Sequence, residues 1–148
     1  MVKIIAGKKG TGKTSRLVDM VNADAKLHDL NVVCIEQGRR LDSWVNYRAR
    51  LIDISEYPIK GFRELFSFIA GIHAKDYDLD RVYIDSIYKV AQSDDMDELI
   101  LFLNYLNDFT TEQETEAIII LTADVDELPE EMRQYCCDCG EDECTDCE

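Results

Sequence analysis

The chain has 148 residues, 46% of them apolar, and a formal net charge of −15. This length is typical of one domain with a single well-covered core. Six acids and no bases fall in the last thirteen residues, but the rest of the chain still holds 25 acids against 16 bases. Such an acidic protein repels a phosphate backbone, so nucleic acid is not expected as the main partner, although a local basic groove stays compatible with these numbers.

The chain has no feature that indicates export or membrane insertion. Its first apolar run, VKIIA, is too short for a secretory signal and is followed by glycines and lysines. No apolar run approaches the ~20 residues that span a bilayer. We therefore expect a cytoplasmic protein without membrane contact, in which thiols stay reduced. The six cysteines then indicate metal ligands or core residues rather than disulfides.

Apolar runs of strand length alternate with segments of helical period along the chain. Strands are predicted over residues 2–6, 31–36, 49–55, 81–85 and 117–124, with 49–55 near an edge of the sheet. Helices are predicted over residues 13–27, 61–74 and 130–135, and one more helix follows Asp95. Asp95 and Glu98 have the spacing of a capping box at its start.

This alternation predicts an α/β fold, with a mostly parallel sheet and helices on both faces. The run 117–124 is the most continuously apolar, as is typical of a parallel strand covered on both sides. There is no internal repeat and no linker rich in proline or glycine. The predicted organisation is one domain over residues 1–135, followed by an acidic, cysteine-rich tail over residues 136–148.

The clearest motif is the segment GKKGTGKTS, which directly follows the first predicted strand. It matches G-x-x-x-x-G-K-[ST], the Walker A spacing of a phosphate-binding loop between a strand and a helix. In such a loop, backbone amides at the helix N-terminus point at the phosphates, Lys13 would reach the β- and γ-phosphates, and Thr14 would bind Mg²⁺. The alternative is a glycine-rich turn without a ligand. The predicted nucleotide-binding residues are Gly7, Lys8, Lys9, Gly10, Thr11, Gly12, Lys13, Thr14 and Ser15.

A second magnesium ligand is predicted at the end of the strand RVYID. Three apolar residues precede Asp85, so its carboxylate is expected at the carboxyl end of the strand, where α/β sheets bind ligands. An aspartate that only caps the following turn is the alternative. Given the phosphate loop, Asp85 is predicted to complete the Mg²⁺ site with Thr14.

On these motifs, residues 1–135 resemble a P-loop NTPase. More narrowly, the chain resembles a short family of uncharacterised, mostly Firmicute, ATP-binding proteins that carry IxGKKGxGKT, an ASEY-like segment and AQDYDLxxIYIDxxxKI. The counterparts here are IAGKKGTGKT, ISEY and AKDYDLDRVYIDSIYKV. Members are sometimes labelled twitching-motility ATPases, which implies little because this chain lacks the length and domains of a pilus motor. The resemblance implies a three-layer P-loop sandwich that binds ATP and Mg²⁺.

Hydrolysis of the nucleotide requires a group that activates water. Many P-loop ATPases have a glutamate directly after the metal-binding aspartate, but Ser86 follows Asp85 here. Recombinase-like ATPases have this glutamate at the end of the second strand, which is the position of Glu36. Thr122 would contact the γ-phosphate or the water if its strand lies between two others, the strand before the phosphate loop and the strand that ends at Asp85. The alternatives are an exposed strand-end glutamate and a threonine that only satisfies backbone groups.

These residues leave more than one function open. Glu36 and Thr122 favour an ATP hydrolase that is slow or stimulated by a protein partner, whereas Ser86 favours a non-catalytic nucleotide sensor or adaptor. ATP is predicted rather than GTP because the chain has no N-K-x-D guanine motif.

Residues 39–50 form a basic segment that also contains Trp44 and Tyr47. The segment could line the acceptor pocket of a small-molecule kinase, the third candidate function. Its arginines, among them Arg39 and Arg40, could instead reach the nucleotide of a neighbouring subunit in an oligomer. The remaining alternative is a solvated basic loop.

The tail contains two C-x2-C pairs separated by four residues. This is the local spacing of a tetrahedral thiolate Zn²⁺ site, here formed by Cys136, Cys139, Cys144 and Cys147. The gap is shorter than the ~15–20 residues of zinc ribbons, so a compact knuckle is predicted. Because the neighbouring acids disfavour thiolates, an acidic tail without metal is the alternative.

Three other possible ligands have simpler interpretations. Cys34, inside the second strand, is expected in the core. His28 and His73 have no partner at ligand spacing and are expected at the surface or at helix caps.

Overall fold

The computed structural model describes residues 1–136, which contain one sheet of five parallel strands. The strands, numbered in chain order, are β1 Val2–Gly7, β2 Val32–Glu36, β3 Arg50–Asp53, β4 Arg81–Ile84 and β5 Glu116–Thr122. Their order across the sheet is β1-β5-β4-β2-β3. All five residues of β2 are buried, as are five of the seven in β5, which is the pattern of strands covered on both faces.

Helices connect the strands. They are α1 Lys13–Asn22, α2 Phe62–Lys75, α3 Ile87–Ala91, α4 Met96–Glu112 and α5 Glu130–Arg133. A π-helical turn, Ala23–Leu27, continues α1, and two 3-10 turns span Ile54–Glu56 and Val125–Glu127. No helix within residues 1–136 is long and apolar enough to cross a membrane.

The helices cover both faces of the sheet. Because side chains alternate along a strand, β5 presents Ile118 and Ile120 to one face and Ile119 and Leu121 to the other. The first face packs against α1, and the buried residues of that cluster include Leu17, Val18, Val21, Cys34 and Tyr83. The second face packs against α2 and α4, and the buried residues of that cluster include Leu65, Ile69, Leu99, Leu103 and Leu106. The described residues therefore form three layers with two separate apolar cores.

Several predictions about the architecture are confirmed. The fold is α/β with a parallel sheet, β3 lies at an edge, and Cys34 is fully buried. The Asp95 carboxylate accepts a hydrogen bond from the Glu98 N–H at 3.1 Å, as a helix cap should. The Asp95 N–H donates to Ser93 rather than to Glu98, so only half of the capping box forms.

Other details differ from the prediction for local reasons. The strand predicted over 49–55 ends at Asp53, because the Asp53 carboxylate accepts from the Ser55 N–H and starts a 3-10 turn. The short helix α3 was not predicted, since five residues are too few to show a helical period. The prediction that His73 lies at the surface or at a cap is wrong, because His73 is buried in the last turn of α2, whereas His28 is exposed.

The parallel arrangement brings the carboxyl ends of all five strands to one edge of the sheet. In the β1–β5 register Gly7 lies opposite Thr122. The Asp85 N–H, just past β4, donates to the Ile35 carbonyl of β2 at 3.0 Å, so Asp85 lies beside Glu36. Four predicted site residues from four strand ends therefore converge on this edge.

His73 is an unusual buried group. Its ring meets Phe109 edge to face, with ring centroids 5.1 Å apart, and neither ring nitrogen has a hydrogen-bond partner among the described residues. Burial lowers the pKa of His73, and the Asp76 carboxylate opposes this shift. Because the unfolded chain then binds a proton more readily than the folded protein, His73 makes the free energy of unfolding fall as the pH drops below about 6.5.

We expect His73→Leu to remove this part of the acid sensitivity. As the pH falls from about 6.5, the free energy of unfolding of the variant should rise relative to that of wild type. The difference can grow by at most about 1.4 kcal/mol per pH unit, because only one proton is involved. Urea unfolding at a series of pH values measures the difference. His28→Gln, at an exposed position, is the control and should follow wild type. Parallel pH curves for His73→Leu and wild type would contradict this account.

Candidate nucleotide-binding site

The predicted phosphate loop spans the five residues between the end of β1 at Gly7 and the start of α1 at Lys13. Gly12, the N-cap of α1, has a φ of 80°, in the left-handed region that favours glycine. A Cβ on Gly7 would lie only 2.9 Å from the Thr11 hydroxyl. The backbone conformation thus favours glycine at position 12, and the Thr11 side chain leaves no room for a Cβ at position 7.

The N-terminus of α1 faces the inside of this loop. The first amide that bonds back along the helix is that of Arg16, which donates to the Gly12 carbonyl at 3.0 Å. No side chain of the described residues caps this helix. The amides of the first turn and the positive end of the helix dipole therefore remain available to an anion.

Lys13 lies across the mouth of the loop. Its Nζ donates to the Lys8 carbonyl at 2.7 Å, and the Thr11 hydroxyl donates to the same carbonyl at 2.8 Å. Partial burial lowers the pKa of Lys13, and the Asp85 carboxylate opposes this shift. A phosphate in the loop would favour the charged form of Lys13 and offer Nζ a stronger partner than a carbonyl.

The predicted magnesium ligands lie together. The Thr14 hydroxyl donates to Asp85 Oδ1 at 3.2 Å, although 71 residues separate them in the chain. The Asp85 side chain is completely buried. A hydroxyl and a carboxylate are oxygen ligands of the kind that Mg²⁺ prefers, and the metal would keep several of its waters beside them. The residues present therefore fit a magnesium ion.

The residue after Asp85 also has an uncommon backbone. Ser86 has a φ of 61°, in the left-handed region, and its hydroxyl lies 3.5 Å from Asp85 Oδ1. Non-glycine residues adopt this region rarely and at a cost of about 1 kcal/mol or more. The turn that follows β4 is thus held in a strained conformation next to the predicted metal ligand.

Glu36 is buried at the end of β2, so the alternative of an exposed strand-end side chain is wrong. Its Oε1 accepts from the Arg40 N–H at 3.1 Å and the Leu41 N–H at 3.2 Å, which fixes the loop after β2. Its Oε2 is buried and has no partner among the described residues. Burial raises the pKa of Glu36, whereas the two backbone hydrogen bonds oppose this shift. One oxygen thus fixes the loop after β2, and the other is buried without a hydrogen-bond partner among the described residues.

Thr122 is exposed beside the phosphate loop. It borders a cavity of about 210 Å³, whose other lining residues are Lys9, Ser86, Ile87, Tyr88 and Lys89. Two lysines on the wall of this cavity favour an anionic occupant. Lys89 was not identified as a site residue from the sequence. The only signal for it was its position four residues after Asp85, and the helix that carries it, α3, was itself not predicted.

The basic segment 39–50 does not form a lid over this cavity. Arg39 pairs with Glu56, and the Arg40 Nη2 donates to Asp85 Oδ2 at 2.9 Å. Trp44 and Tyr47 are 60% and 87% exposed. The contact of Arg40 with the predicted metal ligand was also missed, because no sequence pattern links a loop arginine to a particular strand end.

The predicted zinc site falls mostly beyond the described part of the chain. Cys139, Cys144 and Cys147 lie outside residues 1–136. Cys136 forms a parallel bridge with Ile4, and the Tyr135 carbonyl accepts from the Ile4 N–H at 2.8 Å, so this end of the described chain lies along the outer edge of β1. Residues 1–136 contain no group of three or more His, Cys, Asp or Glu side chains that could hold a metal.

Comparison with models of protein families gives no match for this chain, and no curated protein is significantly similar to it. At one edge of the sheet, the predicted phosphate loop thus lies near the Thr14–Asp85 pair and the lysine-lined cavity.

We expect Lys13→Ala to lower the affinity for ATP at least about 10-fold, or about 1.4 kcal/mol, because it removes the cation opposite the β- and γ-phosphates. The fold should persist, since Nζ contacts only the loop itself. Calorimetric titration with Mg-ATP measures the change, and Lys26→Ala, an exposed position beyond α1, is the control. Equal affinity of Lys13→Ala and wild type would overturn the assignment of the phosphate loop.

If the four tail cysteines bind Zn²⁺, protein purified without chelator should contain close to one zinc per chain. Truncation after Tyr135 should abolish zinc binding and leave ATP binding intact, because the loop, Thr14 and Asp85 are all retained. Elemental analysis of both proteins provides the measurement. A full-length protein without zinc would favour the acidic tail without metal.

Proposed function

We propose that the protein is a P-loop protein that binds Mg-ATP and hydrolyses it slowly, or faster on stimulation by a protein partner. The observation that carries this proposal is the contact between Thr14 and Asp85 behind the phosphate loop, at 3.2 Å. A phosphate loop alone is compatible with many anions. A hydroxyl and a buried carboxylate in contact beside it favour a phosphate that arrives with a divalent cation.

Each residue has a distinct part in this proposal. Backbone amides at the start of α1 and the Lys13 ammonium bind the phosphates, and Thr14 and Asp85 hold Mg²⁺. When bound, the metal supplies positive charge that neutralises the β- and γ-phosphates in the transition state. Thr122 contacts the γ-phosphate or the attacking water, since β5 lies between the strands that carry the loop and Asp85.

Glu36 is the proposed base. A base accepts a proton best when its pKa lies near the working pH, and burial moves the pKa of Glu36 upward in that direction. Its Oε2 has no partner among the described residues. Because Oε2 is also inaccessible in this conformation, water reaches it only when residues 37–41 move. This requirement is the reason for proposing slow basal turnover.

A non-catalytic nucleotide sensor is the second candidate. One feature that favours it is Ser86, at the position where many P-loop ATPases have their catalytic glutamate. The other is that Glu36 Oε1 accepts hydrogen bonds from two backbone amides of the loop after β2. In this function the nucleotide would change the shape of the loop after β2 without turnover. A kinase is not proposed, because Trp44 and Tyr47, the aromatic residues of the basic segment, are 60% and 87% exposed and form no acceptor pocket among the described residues.

We expect Glu36→Gln to reduce ATP hydrolysis by about 100-fold or more, the usual scale for loss of a positioned base. Glutamine keeps an oxygen for the amides of Arg40 and Leu41, so the loop and nucleotide binding should persist. Phosphate release under single-turnover conditions and calorimetric ATP binding measure the two effects. Glu56→Gln, which neutralises an exposed carboxylate, is the control and should turn over as wild type does.

Two results would change this assignment. Hydrolysis by Glu36→Gln at the wild-type rate would mean that the base lies elsewhere. Absence of turnover by the wild-type protein at saturating Mg-ATP would favour the sensor.

A further inference from the structure

Both oxygens of the predicted metal-binding carboxylate already have protein partners. The Thr14 hydroxyl donates to Asp85 Oδ1 at 3.2 Å, and the Arg40 guanidinium donates to Oδ2 at 2.9 Å. The Asp85 side chain is fully buried, whereas that of Arg40 is 51% exposed. The guanidinium therefore covers the carboxylate from the solvent side, where a metal would have to approach.

The charge of Asp85 explains why Arg40 occupies this position. A buried carboxylate without a countercharge is strongly unfavourable, so a cation close to it stabilises the fold. Lys13 does not take this role directly, because its Nζ is bonded to the Lys8 carbonyl. Arg40 is thus the cation in contact with Asp85 in the described structure. A guanidinium on Oδ2 and Mg²⁺ beside Oδ1 would repel each other at close range, so each disfavours the presence of the other on this carboxylate.

The backbone of Arg40 is anchored independently of its side chain. Glu36 Oε1 accepts from the N–H groups of Arg40 and Leu41, and Asp53 accepts from the Gly38 N–H at 2.8 Å. Leu41 is buried in the core beside α1. The guanidinium can therefore leave Asp85 by a change of side-chain conformation, without unfolding the loop that carries it.

We propose that Arg40 is a positioning residue that closes the metal site of the nucleotide-free protein, and that Mg²⁺ arriving with the nucleotide replaces the Arg40 guanidinium on Asp85. The proposal rests on the proposed function, since it takes Thr14 and Asp85 as the metal ligands. Displacement of Arg40 opposes metal binding, so the metal and the guanidinium are linked by a coupling free energy.

The test compares the affinity for ADP in excess Mg²⁺ with the affinity for ADP in EDTA. ADP is used because it has no γ-phosphate that a released arginine could contact. The dissociation constant in EDTA divided by that in Mg²⁺ gives the stabilisation that the metal adds. In Arg40→Gln this ratio should be larger than in wild type, because Mg²⁺ no longer displaces a cation. The expected increase is at least about 5-fold, which is the lower end of the usual range for coupling between two ligands.

Arg39→Gln is the matched control, since the neighbouring arginine pairs with Glu56 and not with Asp85. Its ratio should equal that of wild type. A ratio for Arg40→Gln that is unchanged or smaller would overturn the proposal, because a merely structural arginine would weaken ADP binding equally with and without metal. If wild-type protein bound no ADP in either buffer, the proposed function itself would fail, which is a different result.

A measurement on wild-type protein covers the case in which Arg40→Gln does not fold. In ¹⁵N NMR of arginine side chains, with signals assigned from Arg40→Lys and Arg39→Lys, the Arg40 signal should shift when Mg²⁺ is added to ADP-saturated protein. The Arg39 signal should stay in place. An Arg40 signal that Mg²⁺ leaves unchanged would also overturn the proposal.

Discussion

The arrangement of the site depends on one buried charge, the carboxylate of Asp85. It lies directly after β4, completely buried, at the point where the phosphate loop and the loop after β2 meet. A charge in that position must be satisfied by hydrogen bonds and a countercharge. Thr14 and Arg40 supply these, so one carboxylate ties the start of α1 to the loop that follows β2.

The parallel sheet determines which groups can meet Asp85. With strand order β1-β5-β4-β2-β3, the loop strand and the Asp85 strand are separated by β5, and Thr122 lies at the carboxyl end between them. On the other side, β2 brings Glu36 next to Asp85. Two apolar cores, one on each face, hold these strands, so the polar groups at their ends are positioned by packing far from the site.

As the proposed base, Glu36 would have to meet two opposing demands. Its Oε1 stabilises the loop after β2 by accepting two amides, and this keeps Oε2 buried and out of reach of water. A base needs that water, whereas a well-fixed loop needs the burial. Under the proposed function, the balance between hydrolysis and nucleotide sensing would depend on how easily residues 37–41 move. Arg40 contacts both carboxylates, because its amide donates to Glu36 and its guanidinium donates to Asp85.

The amino-acid sequence by itself determined the alternation of strands and helices, because this follows from local periodicity. The phosphate loop, inferred from spacing within nine residues, stays a prediction. The sequence also identified Asp85 and Thr122 as strand-end polar groups. The tertiary structure alone decided that Thr14 contacts Asp85 and that β5 lies between β1 and β4, since both depend on strand order across the sheet. It also decided the burial of Glu36 and His73 and the pairing of Arg40, because burial and ion pairing join residues that no local pattern connects.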